Sequence, residues 1–185
     1  MTPLPGDLST EETVHRMIRV DHAGEYGAAR IYAGQLAVLG RSGKAGSGKA
    51  GSGKADLLRH MRDQEREHLD TFNTMVADRR VRPSALLPFW HLAGFVLGAA
   101  TAAMGERAAM ACTIAVEETI DAHYTAQIDR LEEDEKPLRD TLVRFRADER
   151  EHMAIAEAND GGGFRLLSAA IRTGCRVAIR LSERL

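Results

Sequence analysis

Residues 63–70, DQEREHLD, and residues 147–154, ADEREHMA, share the phrase Glu-Arg-Glu-His, which pairs Glu65 with His68 and Glu149 with His152. On a helix, side chains three positions apart leave from the same face. That face is otherwise apolar in both stretches: Leu58, Met61, Phe72 and Met75 surround the first pair, and Leu138, Leu142, Phe145 and Ala156 the second. A fold that buries these stripes must also bury two carboxylates and two imidazoles. A lone carboxylate in an apolar core either pays a large desolvation cost or loses its charge, so the pattern demands a partner for each group.

Two further helical stripes each carry one glutamate inward. Ser9 to Glu12, STEE, has the form of a capping box that starts a helix. Its inner face reads Val14, Ile18, Asp21, Glu25, Ala28, Tyr32. Residues 106–131 give Met110, Thr113, Glu117, Ile120, Tyr124, Ile128, Leu131. With helices expected over 55–79 and 137–157, four helices present Glu, Glu-x-x-His, Glu, Glu-x-x-His in chain order. A last amphipathic helix is expected over 164–184, after the DGGG turn. The hydrophobic share of 44% with only 5% aromatics suits an all-α protein, and 185 residues make one domain, 1–185.

The ligand order matches that of ferritin-like carboxylate proteins with two metals in a four-helix bundle. Glu25, Glu65, His68, Glu117, Glu149 and His152 are the predicted metal ligands. Oxygen and imidazole donors suit iron or manganese better than thiolate-seeking metals. Four carboxylates also balance two divalent ions. A third Glu-x-x-His, Glu12 with His15, points away from the stripe and lies about 15 to 20 Å along the axis from Glu25, so it reads as surface. Asp21, Asp63 and Asp148 are candidate acceptors for the ligand imidazoles, the last two equally readable as surface charges. His22 reads as an orienting or surface histidine, and Glu67, Glu118 and Glu151 as solvated. His123 and Tyr124 are candidate proton or electron carriers, with a plain core role for Tyr124 as the alternative.

Other classes are disfavoured. A formal net charge of -2 gives no electrostatic footprint for nucleic acid. Cys112 and Cys175 form neither a zinc motif nor a disulfide framework, which points to a reducing compartment. The N-terminus lacks the pattern of a secretory signal or transit peptide. Residues 42–56, SGKAGSGKAGSGKAD, read as a flexible Gly/Ser/Lys linker over 42–54 between the first two helices; a P-loop is excluded because each lysine precedes alanine. Residues 86–105, LLPFWHLAGFVLGAATAAMG, form an uncharged run just long enough for a bilayer core of about 30 Å. Pro88, His91 and the return to the Glu117 helix favour an interfacial surface or a re-entrant apolar hairpin over a span.

VDHAGEYGAARIYAGQLAVLG, QEREHLDTFN, ACTIAVEETIDAHY, ADEREHMAIA and GCRVAIRLSERL together resemble the demethoxyubiquinone hydroxylase family of ubiquinone biosynthesis. The resemblance covers nearly the whole chain apart from 42–54. It implies a monooxygenase with two Fe ions that hydroxylates the ring of a polyprenylated demethoxyubiquinone with dioxygen and two electrons, and it carries the same six ligands. It further implies peripheral attachment to a membrane surface, on the cytoplasmic face of a bacterial cell membrane or the matrix face of the mitochondrial inner membrane. A lipid-binding accessory protein is a further partner to be expected. The rival reading is an iron oxidase or peroxidase of ferritin or rubrerythrin type; the missing CxxC site and the apolar 86–105 segment stand against it.

Overall fold

The structure, a computed structural model, describes residues 8–42, 49–159 and 161–185. These form six α-helices and, among the described residues, no strand: α1 Thr10–Ser42, α2 Lys49–Asp78, α3 Leu87–Ala103, α4 Glu106–Ile128, α5 Lys136–Ala158 and α6 Arg165–Ser182, with a short 3-10 turn, Glu133–Glu135, ahead of α5. The first helix begins where the capping box sets it. The Ser9 amide donates to Glu12 Oε2 at 2.8 Å, and the Glu12 amide donates back to Ser9 Oγ at 3.1 Å.

Helix α2 begins six residues before the expected Ala55. Lys49 to Lys54, read from sequence as linker, continue the helix, and Lys54 Nζ reaches Glu106 at 3.0 Å. Glycine weakens a helix but does not forbid it, and the packed turns that follow propagate helix backwards. Residues 43–48 of the expected linker lie outside the described residues.

Packing partners fix the helix directions. Met17 and Ile18, early in α1, pack with Phe72 late in α2, whereas Tyr32, late in α1, packs with Leu58 and Met61 early in α2. The same crossing relates α4 to α5: Tyr124 meets Leu138 and Leu142, and Met110 meets Ala156. Both pairs are therefore antiparallel, and they face each other across a shared core. That core is layered. One apolar layer contains Val14, Ile18, Phe72, Leu138, Leu142 and Phe145; another contains Tyr32, Leu58, Met61, Met110 and Ala156. Glu25, Glu65, Glu117 and Glu149 fall between the two layers along their helices.

The apolar run at 86–105 forms one helix, α3, lying along α1. Their close approach depends on Gly98, where a Cβ would collide with the Ile31 carbonyl. The chain turns into α4 at Gly105, whose φ of 112° suits glycine. No helix among the described residues is long and apolar enough to cross a membrane. The C-terminus docks on the start of α3: Trp90 Nε1 donates to Ser182 Oγ at 3.1 Å, and the Ala85 amide donates to the Leu185 carbonyl at 3.1 Å.

Candidate metal centre

All six predicted ligands are buried and meet between the apolar layers. Glu25, Glu65, His68 and Glu149 place one donor atom each within 4.8 Å of one another, and so do Glu65, Glu117, Glu149 and His152. Glu65 and Glu149 belong to both groups. The glutamates of the two Glu-x-x-His motifs are thus central, and each group adds one lone glutamate and one histidine of its own.

The chemistry of the donors tests whether metal fits. Glu25 Oε2, both oxygens of Glu65 and of Glu149, Glu117 Oε2, and the Nδ1 atoms of His68 and His152 have no hydrogen-bond partner. Buried polar atoms are almost always satisfied, and leaving one bare costs about 1–3 kcal/mol. A set of unpaired oxygens and nitrogens converging on two points is what a pair of cations would satisfy, so the residues fit the group.

Electrostatics in the bare layer say the same. Burial and then the charge of Glu149 hold Glu117 up at about 8. Burial, followed by the Glu149 and Glu25 charges, raises Glu65 as well. Burial would also raise Glu149, but the facing His152 and His68 imidazoles, 3.3 and 3.4 Å away, outweigh it and hold that carboxyl down at about 2. Against the effect of burial, contacts to Glu149 and Glu25 raise His68 to about 11. Protons here occupy the place of cationic charge.

Outside the ligands, the hydrogen bonds cross from one helix pair to the other. Tyr32 on α1 donates to Glu117 Oε1 at 2.6 Å, and Tyr124 on α4 donates to Glu25 Oε1. His68 Nε2 faces Asp148 Oδ2 at 3.0 Å, and His152 Nε2 faces Gln64 Oε1 at 3.1 Å. Of the three candidate aspartates, Asp148 therefore orients a ligand imidazole and the other two do not. Asp63 pairs with Arg62 at 2.7 Å on the exposed side of α2, and Asp21 takes His123 at 3.2 Å and Gln127 at 2.9 Å. Gln64 fills the role expected of Asp63. The signal was the alignment of the two motifs, in which Gln64 and Asp148 each immediately precede the glutamate.

Tyr124 thus touches a predicted ligand, whereas His123 pairs with Asp21 and lies beside Tyr124. His22 bonds Asn73 at 2.9 Å and touches none of the six. Glu67, Glu118 and Glu151 are exposed, as is Glu12, which is engaged in its cap.

A cavity of about 480 Å³ lies between α1, α3, α4 and α6. Gly24 and Ala28, which flank Glu25, and Val116 and Ile120, which flank Glu117, form its inner wall; Trp90, Leu97 and Ile171 are among its other lining residues.

The family model described as ubiquinone biosynthesis protein COQ7 matches residues 12–182. The 3-demethoxyubiquinol 3-hydroxylase of Rhodospirillum rubrum is 54% identical, over 98% of this chain and 82% of that protein. The human NADPH-dependent 3-demethoxyubiquinone 3-hydroxylase, mitochondrial, is 46% identical, over 97% of this chain and 81% of its own. The 5-demethoxyubiquinone hydroxylase, mitochondrial, of Saccharomyces cerevisiae is 40% identical, with 92% and 77% covered. A match running from the first turn of α1 to the last residue of α6, with relatives aligned over most of their length, establishes that the chain belongs to the COQ7 family of ubiquinone biosynthesis proteins.

Proposed function

We propose that this chain is a di-iron monooxygenase that hydroxylates the ring of a polyprenylated demethoxyubiquinone with dioxygen and two electrons. In this reading residues 1–185 work as one domain. It is a ferritin-like bundle of α1, α2, α4 and α5, with α3 and its turn into α4 as the apolar hairpin and α6 as an outer amphipathic helix. One observation carries the reading: a buried layer of four carboxylates and two imidazoles, its inner atoms unpartnered, lies beside a cavity walled by apolar side chains. The names of the relatives supply the substrate class. An iron store has no use for such a cavity, which favours the hydroxylase over the ferritin-type alternative.

Two irons held by Glu25, Glu65, His68, Glu117, Glu149 and His152 supply the redox chemistry for activating dioxygen, which protein side chains lack. The chain does the rest. Glu65 and Glu149 serve both metal positions, and Tyr32 and Tyr124 hold the lone carboxylates in place through their hydroxyls. The apolar wall excludes water and receives the quinone ring with the start of its tail. Cys175 lines this cavity, and burial raises its thiol to about 11. An electrophilic quinone therefore meets a thiol and not a nucleophilic thiolate. Tyr124, in contact with Glu25, and His123 beside it serve as the proton or electron relay.

The membrane is the natural source of such a substrate. Phe89, Leu92 and Val96 on the outer side of α3 are 60%, 64% and 53% exposed, and Leu166 and Val177 of α6 are exposed as well. Exposed apolar groups in that number suit a lipid surface. The eukaryotic relatives are named as mitochondrial proteins. Here the membrane is the bacterial one at its cytoplasmic face, or the mitochondrial inner membrane at its matrix face, with a lipid-binding accessory protein as a further partner.

The test is a single turnover. Anaerobically iron-loaded, reduced protein given isotopically labelled dioxygen and a short-tailed demethoxyquinone should yield a product carrying one labelled oxygen atom. Rapid iron oxidation with an unchanged quinone would instead support the iron-oxidase reading.

A further inference from the structure

The hydrogen bonds around the six residues follow an exchange rule. By order along the chain, exchanging α1 and α2 with α4 and α5 swaps Glu25 with Glu117, Glu65 with Glu149 and His68 with His152. Tyr32 and Tyr124, each seven residues after its own helix's lone glutamate, swap with one another and each serves the other's carboxylate. Gln64 and Asp148 swap too, since each precedes a motif glutamate and each accepts from the histidine of the opposite motif. Only at this last pair does the chemistry change. An amide stands on one side and a carboxylate on the other, at nearly the same distance.

We propose that Gln64 and Asp148 make the two metal positions unequal, the one built on Glu25 and His68 binding its ion more tightly than the one built on Glu117 and His152. The proposal rests on the di-metal reading above and extends it. Each histidine turns Nε2 outward to its acceptor and leaves Nδ1 facing the carboxylates. The acceptor therefore fixes which nitrogen keeps its hydrogen and which is free to ligate. Both acceptors orient the ring. Only the aspartate adds a negative charge behind it, and charge-assisted hydrogen bonds are about twice as strong as neutral ones. That charge makes Nδ1 of His68 the better donor to a cation. The Asp148 side chain is 30% exposed, so solvent screens part of the effect, but on the other side there is no charge to screen. Ring packing acts in the same direction. His68 stacks on Phe145 with centroids 3.8 Å apart, which covers one ring face and limits its rotation; His152 has only an edge contact with Tyr32, at 6.0 Å. Gln64 and Asp148 are positioning residues, acting through the histidines.

Metal-depleted full-length protein, titrated anaerobically with Fe(II) and in parallel with Co(II), whose absorption bands report coordination, provides the test. The wild type should take up two ions per chain in two resolved steps. Asp148→Asn, which keeps shape and removes charge, should weaken the first step by about 10- to 100-fold and draw the two steps together. Gln64→Glu, which adds charge at the matching place, should tighten the second step and also draw them together. A gain of affinity in that variant is not something damage to the fold produces, and circular dichroism monitors the fold in both. Two ions of equal affinity in the wild type, equal weakening of both steps in Asp148→Asn, or no tightening in Gln64→Glu would overturn the inequality while leaving the di-metal reading standing. Uptake of fewer than two ions would overturn both.

Discussion

Glu65 and Glu149 sit in both donor groups, and between them the four carboxylate oxygens have no hydrogen-bond partner. Replacing either with alanine removes a donor from both candidate metal positions and one of the carboxylates that face His152, so metal content should drop from two ions per chain to less than one in Glu65→Ala and in Glu149→Ala. Glu12 belongs to a Glu-x-x-His of the same spelling, yet its carboxylate caps the first turn of α1 on the surface. Glu12→Ala should keep full metal content and lower stability only slightly, through the lost reciprocal cap with Ser9. Elemental analysis of the three variants checks this, and equal metal loss in all of them would overturn the assignment. The same Glu-x-x-His spacing thus has different chemistry according to the face it lies on. Helical phase was enough to separate the three copies.

Helix α3 depends on contact more than on pattern. Where α3 crosses α1, Gly98 meets the Ile31 backbone and Gly34 meets the Phe95 backbone, with no room for a side chain at either. Gly98→Val should therefore push α3 off α1, open one wall of the cavity and destabilise the protein by about 1–3 kcal/mol or more, as overpacking does. Urea denaturation measures the loss; a variant as stable as the wild type would show that α3 is not held by this crossing. The contact also decides which apolar residues of 86–105 stay outside. Trp90 and Phe95, from the same uncharged run, are half-buried: Trp90 lines the cavity and bonds Ser182, and Phe95 lies under Arg30 with its guanidinium 5.1 Å away. Phe89, Leu92 and Val96 form the exposed side.

For the whole molecule, the buried layer links metal, pH and stability. Glu117 at about 8 and His68 at about 11 hold protons in the folded chain that the unfolded chain, with values of 4.5 and 6.5, releases earlier. Between those limits the folded state binds more protons than the unfolded one, so the stability of metal-free protein should fall as pH rises through neutrality. Glu149, held at about 2 against an unfolded 4.5, acts in the opposite sense, but only in acid. Metal bound in this layer would displace these protons, so loading should stabilise more at high pH than at low. Thermal melts of metal-free and anaerobically loaded protein from about pH 6 to 8.5 check both slopes; a metal-free protein that gains stability across that range contradicts the account. The outer side of α3 gives a second prediction at this scale. Phe89→Ser, Leu92→Ser and Val96→Ser together should weaken liposome binding and turnover of a long-tailed quinone, with metal content and turnover of a short-tailed analogue retained. Equal loss on both substrates would place these residues in the catalytic machinery instead.

Period and order in the chain by themselves determined that the protein is helical, which faces turn inward, and which six ionisable residues share those faces. Burial forces this result: an inward stripe must keep the helical repeat, and a charged residue on it stands out against apolar neighbours. Reciprocal contacts were decided only in three dimensions. That Gln64, and not Asp63, reaches His152, that Tyr32 serves Glu117 across the bundle, and that Asp21 turns to His123 all depend on how helices distant in sequence are rotated and stacked. The start of α2 at Lys49 was likewise hidden, because local propensity undervalues glycine-rich turns that a packed helix extends. Periodicity records where a side chain points from its own axis; what meets it there is set by the neighbouring helix, whose approach is fixed by small residues and side-chain volumes summed over the whole core.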